Sequence, residues 1–517
     1  MPDLVRSVGL LLMALLPIGV ATQQPPPQQP PLDPIEQVRA WRKAHAHEVI
    51  NDLVEFLSRP NVATNEDDIW RNAEWLQKQM ERRGIRTEVV ATRGMPVVYG
   101  ELRAPPKAGT ARTILFYCHY DGQAVDPTKW INSEPFKPVL RRGVAGDWST
   151  IPFPAADTPY EDNWRIYARS AADDKSPIVA LLAALDALGA QGREPSVNLK
   201  FVFDGEEEQG SPYLHEFIER YRQRLAADVV IIADGPVHPS GLPTVFFGNR
   251  GIMTLDITVH GPRVPLHSGH YGNWAPNPGM RLTQLLATMK DAEGKVLIEG
   301  FYDNVVPLTA SERLAVAAIP NLDDALRQRY GFAQPEGSGR RLDELLHLPS
   351  LNIRGLESAW VGDEARTIVP ATATAAIDVR LVKGNDHARM FQKIVAHIRR
   401  QGYYVTEQEP TEAERRRHAR LARVVKREGY NAVRTSLEVP IARLVAGAVE
   451  RAVGGSVVKL PTLGGSGPSH LFERLRIPII GVPIVNFDNN QHSPNENLRL
   501  GHFWRGIDIF AAMLLAE

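Results

Sequence analysis

Cysteine is almost absent: Cys118 is the only one in 517 residues. That excludes an intrachain disulfide and any thiolate zinc cluster, so a metal here has to be held by histidine and carboxylate. Net charge is nearly absent too. With 59 Lys+Arg against 60 Asp+Glu, no global field draws the chain to nucleic acid or to an anionic membrane. Nor is there an apolar run that makes a comfortable transmembrane helix, since the one candidate, residues 8–21, is short and broken by Pro17. What remains is ordinary soluble composition, 43% hydrophobic and 23% charged, in a chain too long for one core.

The short apolar run reads instead as an export signal over residues 1–21. Arg6 precedes it, and Gly19-Val20-Ala21 supplies small residues for cleavage. Asp3 weakens the basic flank, which leaves a retained anchor as the alternative. Residues 22–34 form a proline-rich linker expected to be extended and unpacked. The expectation is a secreted or periplasmic protein with no membrane contact beyond that segment.

From Ile35 the apolar spacing predicts helices over 35–57 and 67–83, with Gly84 as a stop. His45 and His47 fall on different sides of the first and read as surface residues. Short strands follow at 87–90 and 97–102. The chain is organised around Phe201-Val202-Phe203-Asp204-Gly205-Glu206-Glu207-Glu208-Gln209-Gly210, an apolar strand running into acids. In open α/β sheets such strand ends deliver side chains to the ligand crevice. Adjacent glutamates repel one another, so burying them calls for cations; a solvated acidic turn is the alternative.

Other strands end the same way. The apolar run from Thr113 reaches His119 and Asp121, which project to one side of an extended chain, so that Asp121 can orient the imidazole. Asp173-Asp174-Lys175 precedes a strongly apolar helix over 177–188, where plain N-capping is the competing explanation. The strand from Val229 reaches Asp234, and the apolar segment 477–483 leads to His492. Two histidines and three carboxylates, His119, His492, Asp173, Glu208 and Asp234, suit a pair of divalent zinc-like ions with one carboxylate bridging.

The ordered set HxD, DDK, EExGS, a strand-end Asp and a late HSxNE resembles the co-catalytic zinc exopeptidases. These include carnosinase-type dipeptidases, carboxypeptidase G and acetylornithine deacetylase. The resemblance runs from about Ile35 to the end and is nearest the carnosinase branch, through His119-Tyr120-Asp121-Gly122-Gln123 with Trp130, Leu348-Pro349-Ser350-Leu351 and Thr367-Ile368-Val369-Pro370. It implies that His119 and Asp234 bind one ion and Glu208 and His492 the other, with Asp173 between them and a cis peptide after Asp173. It implies Glu207 as catalytic base, Asp121 as the residue orienting His119, and Glu206 as an extra acid. Leu266-His267-Ser268-Gly269 resembles a lid motif whose histidine reaches the substrate carbonyl across a homodimer. Arg380 matches the lid arginine for the substrate carboxylate, with Thr367 and the glycine loop at Gly465 and Ser466 also on the substrate side.

The fold class implied is α/β: a discontinuous catalytic domain over 35–248 and 435–517, with an inserted α/β sandwich lid and dimerisation domain over 249–434. Cys118, Ala168, Ser170 and Ser176 depart from the family's usual glycines. Residues 143–163 read as an inserted loop, and 411–434 as an extra basic segment forming a solvated amphipathic helix. The expected activity is hydrolysis of C–N amide bonds of dipeptides or C-terminal residues with two Zn2+, Mn2+ or Co2+ being alternatives. N-acyl amino acid deacylation is the nearest rival chemistry. A non-catalytic peptide-binding protein on the same fold is the rival of another class, disfavoured because a binding module has no use for a base.

Overall fold

The computed structural model describes residues 33–105, 111–144 and 147–516. The expected export signal, and all of the linker before Asp33, lie outside these residues. The N-terminal helical stretch is two helices rather than one, Pro34–Ala44 and Ala46–Leu57. The break is at His45, whose ring stacks on Trp41 at 4.6 Å while its Nδ1 lies 2.9 Å from the Trp41 carbonyl. That local contact turns the chain so that Val49, Ile50 and Leu53 face the core.

An eight-stranded sheet forms the larger body. Its strand order is Arg86–Val90, Val97–Leu102, Asn198–Asp204, Thr113–His119, Val229–Ile232, Ile479–Gly481, Thr244–Phe246, Val458–Leu460. The central strands Asn198–Asp204, Thr113–His119, Val229–Ile232 and Ile479–Gly481 are mutually parallel. They are almost entirely apolar because helices cover both faces. Lys175–Gly189, Leu500–Leu514 and Pro440–Val453 bury their apolar sides in one cluster with Phe116, Phe201 and Phe203. Parallel register sets His119 opposite Asp204 and Tyr117 opposite Ile232, so all these strands end at one edge. Ligands bind at such an edge.

A second sheet, of five strands, is built wholly from residues between 250 and 431. Its order is Ser350–Glu357, Thr372–Leu381, Gly251–His260, Leu421–Tyr430, Tyr404–Thr406. Alternate residues of Gly251–His260 and Thr372–Leu381 point into a core closed by the helices Pro278–Ala287 and His387–Arg400. The two bodies are joined where Gly248–Asn249 pairs with Val433–Arg434. A Cβ on Gly248 would lie 1.9 Å from the Val433 carbonyl oxygen, so the crossing admits only glycine there. This discontinuous arrangement is the expected fold class.

Two further expectations are corrected. Of the basic segment, only Glu412–Arg417 is helical; Leu421–Tyr430 is a sheet strand paired along Gly251–His260. Its Leu421, Ala422 and Val424 are buried, and this outweighs the helical charge pattern of the arginines. Residues 143–163 are not simply a loop. Val139–Val144 and Asp147–Ile151 form a hairpin in a four-stranded sheet with Arg165–Tyr167 and Asn497–Arg499. That small sheet fastens the C-terminal segment carrying His492 to the strand leading into Asp173.

Candidate active site

The C-terminal edge of the large sheet gathers the residues singled out from sequence. His119 is fully buried at its strand end, and its Nε2 lies 2.9 Å from Asp173 Oδ1 and 4.0 Å from Asp234 Oδ1. The other Asp173 oxygen, Oδ2, lies 3.0 Å from His492 Nε2, which is 3.4 Å from Glu208 Oε2. Asp173 therefore stands between two half-sites, one oxygen toward each histidine. Asp173–Asp174 is a cis peptide.

Asp121 does more than orient an imidazole. Its Oδ1 lies 3.3 Å from His119 Nδ1 and also accepts the Glu207 backbone N–H at 3.0 Å, while Oδ2 accepts that of Glu208 at 3.0 Å. One carboxylate thus fixes both the histidine and the turn bearing Glu207 and Glu208. The capping explanation for the aspartate pair fails at Asp174, which occupies the N-cap of Lys175–Gly189 but makes no side-chain cap bond. Its Oδ2 instead takes the His119 backbone N–H at 3.2 Å, and Asp174 also lies within 4.8 Å of His119 and Asp234 donor atoms.

Electrostatics describe a site with too much negative charge for its burial. Burial, then repulsion from neighbouring aspartates, raises Glu208 to about 7, while burial raises Asp234 to about 6. Burial likewise pushes Glu207 well above the usual range, with Asp234 and Asp173 adding to it and His119 opposing. Burial pulls His119 down, yet the Asp121 and Asp173 carboxylates that accept from its ring leave it well above an ordinary imidazole. Such a set relaxes when divalent cations sit among it, and its His and carboxylate donors suit a dinuclear metal site. Both half-sites, His119 with Asp234 and Glu208 with His492 and Asp173, bring their donor atoms within 4.8 Å. Non-glycine residues at positive φ also collect here: Ser170 at 62°, Ser211 at 49° and His492 at 59°. Backbone strain of this kind persists where function or packing fixes it.

A cavity of about 490 Å³ opens onto the cluster and is lined by Asp173, Glu207, Asp234, His492, Gly465 and Ser466, among others. Ser466 accepts a hydrogen bond from Arg380 Nη1 at 2.6 Å, which ties the lid arginine to the cavity wall. His267 and Thr367 lie apart from this group. They sit on a short ribbon where Leu266–His267 pairs with Ile368–Val369, both exposed. Among the described residues, no hydrogen bond or ion pair links either of them to the carboxylate cluster.

The sequence model of Peptidase family M20/M25/M40 matches residues 115–516. The chain belongs to this family. Among the peptidase's relatives, the Cys-Gly metallodipeptidase of Candida albicans is 29% identical over 72% of this chain and 75% of that protein. The Beta-Ala-His dipeptidase of Homo sapiens is 24% identical over 99% of this chain and 98% of its own length. An M20 family metallo-carboxypeptidase from Sulfolobus solfataricus superposes with a TM-score of 0.72 at 28% identity, covering 90% of this chain and 98% of that one. The protein is accordingly a hydrolase.

Three supporting residues of the peptidase carried no role in sequence. Glu496 is fully buried behind the Asp173 loop, accepting the backbone N–H groups of Ser170, Ala172 and Asp173 at 2.9–3.0 Å and Arg169 Nη1 at 2.6 Å. Gln123 donates to Glu208 Oε2 at 2.8 Å, and Gln491 Nε2 lies 3.4 Å from Asp173 Oδ2. The HSxNE spacing marked Glu496, yet nothing in a linear motif says which loop it holds.

Proposed function

We propose that this peptidase is an exported dizinc hydrolase acting on the C–N bond of dipeptides or of C-terminal residues. The observation that carries the reading is the single cavity in which Glu207 meets Asp173, Asp234 and His492 beside the Gly465–Ser466 loop. His119 and Asp234 are assigned to one ion, Glu208 and His492 to the other, and Asp173 to both; zinc is the proposed metal, with manganese or cobalt as alternatives. When bound, the two ions supply Lewis acidity, sharpening water as a nucleophile and a carbonyl as an electrophile.

The chain's own residues carry the proton. Glu207 takes it from the attacking water and returns it to the leaving amine, as a carboxylate beside the proposed metal pair can. Asp121 keeps Glu207 in place through the backbone N–H it accepts. Arg380 is assigned to the free carboxylate of the substrate, Ser466 and Gly465 to the substrate wall beside it, and Thr367, on the His267 ribbon, to substrate binding from outside that wall. His267 is assigned to the carbonyl of a substrate bound in the partner subunit of a homodimer. The edge strand Ser350–Glu357 supports that assembly, since it leaves Ile353 and Leu356 at 43% and 61% exposure, a liability that a second chain would cover.

N-acyl amino acid deacylation is the second reading, favoured by the apolar wall of the same cavity. The relatives' names, Cys-Gly metallodipeptidase and Beta-Ala-His dipeptidase, favour the first. A purely peptide-binding role leaves Glu207, a carboxyl facing the cavity beside Asp173 and Asp234, unexplained. Assaying the zinc-loaded protein against dipeptides, C-terminally blocked peptides and N-acyl amino acids separates these. Release of free amino acids from unblocked dipeptides supports the proposal, and turnover of N-acyl amino acids alone replaces it with the second reading.

A further inference from the structure

The cavity does not stop at the carboxylate cluster. Beyond Gly465 it continues between the large sheet and two short helices, Asp323–Tyr330 and Leu342–Leu345. Its far wall is made by Leu326, Tyr330, Leu342 and Leu346 on one side and by Leu463 and Phe487 on the other. The two sides approach closely: a Cβ on Gly464 would lie 3.0 Å from Leu346 Cδ2. Tyr330 and Leu342 remain 59% and 44% exposed although their neighbours are apolar. Apolar surface left open in a concave pocket is the surface that gains most from an apolar ligand.

The polar groups along this wall are already engaged. Asp343 accepts from Arg341 Nη2 at 3.2 Å, and Asp323 accepts the Leu342 backbone N–H at 3.3 Å. Burial lowers the His238 imidazole to about 4, so it faces the cavity neutral. Among the described lining residues of this far wall, no unpaired cation or anion awaits a charged side chain. The wall is continuous with Glu207, so whatever fills it is joined to the amide being cut.

We infer that this extension selects amide substrates bearing a bulky apolar chain beside the scissile bond, either an apolar amino-acid side chain or an N-acyl group. The inference rests on the proposed hydrolase reading and names its substrate class. Each methylene buried in the extension raises kcat/KM by about threefold to fourfold, from the usual transfer free energy of a CH2 group.

The test measures kcat/KM for zinc-loaded protein on three series: X-Ala dipeptides with X from alanine to norleucine, Ala-X dipeptides over the same range, and N-acyl-alanines from acetyl to octanoyl. A rise with chain length in one series is expected, and the series that rises identifies the source of the apolar chain. Leu346→Asn and Leu326→Asn are each expected to cut the long-to-short ratio in that series by about tenfold, while Leu326→Met restores it. Flat profiles in all three series, with short dipeptides still turned over, overturn the inference and leave the hydrolase reading standing. No turnover in any series overturns both. An unchanged long-to-short ratio in both Asn variants, with folding verified by circular dichroism, also overturns it.

Discussion

Glu496→Gln removes one oxygen from a carboxylate that no solvent reaches. Oε1 accepts the N–H groups of Ala172 and Asp173, and Oε2 those of Ser170 and Arg169. Burial raises the Glu496 carboxyl, while the Arg169 guanidinium and the backbone donors pull it back down. A glutamine amide presents one oxygen and one NH2, so two of these four donors face another donor. If the pair on Oε2 loses its acceptor, a guanidinium whose side chain is only 2% exposed is left uncompensated. Breaking a buried pair of this kind costs about 3–5 kcal/mol, and an orphaned backbone N–H about 1–3 kcal/mol more. Because the loop carrying Asp173 hangs from these bonds, metal affinity should fall with stability. Urea unfolding of the metal-loaded variant, beside zinc titration with a competing chelator, reads both. A Glu496→Gln protein with wild-type stability and zinc affinity would refute the reasoning that this carboxylate positions Asp173.

Three further outcomes are expected. Arg380→Lys loses the planar fork that pairs with a carboxylate, so KM for free-carboxylate substrates should rise about tenfold or more while amidated substrates change little; equal effects on both remove the carboxylate role. If His267 acts in the neighbouring site, His267→Ala and Glu207→Gln proteins are each nearly inactive but regain activity when co-expressed, because a heterodimer carries one site with both residues intact; no recovery in verified heterodimers removes the assignment. Metal-free protein should lose thermal stability as pH rises from about 5 to about 8, whereas zinc-loaded protein should not. The sign follows from raised folded values: Asp234 at about 6 and Glu208 at about 7, against ordinary 3.8 and 4.5, give stability present at low pH and lost as pH climbs through those values. His492, held at about 9 chiefly by its hydrogen bond to Asp173, loses its share between the ordinary 6.5 and 9. A metal-free melting temperature that rises with pH contradicts the crowding of negative charge.

Strand ends were the most legible part of the chain. An apolar run that stops at His119, Asp204 or Ile232 states both the burial of the strand and the edge at which it stops, and parallel pairing then brings those edges together. Local chemistry that depends on partners distant in sequence was not legible. Glu496 serves Ser170 and Asp173 across more than 300 residues, and only the small sheet of Asn497–Arg499 with Arg165–Tyr167 makes that reach possible. The strand Leu421–Tyr430 was hidden because its arginines mimic a helix face, while its true partner, Gly251–His260, lies about 170 residues earlier. The break at His45 rests on one ring stacking against Trp41, a contact that periodicity does not register. The apolar extension of the cavity was equally hidden, since its walls come from the segments around 326–346 and 463–487.

The most direct test of the account is turnover by Glu207→Gln measured together with metal content. Glutamine keeps the size of the side chain and cannot accept and return a proton, and Glu207 is assigned to no ion. The account predicts two divalent ions retained per chain with amide hydrolysis reduced by about 10²–10⁴-fold. Wild-type turnover in that fully loaded variant would contradict it.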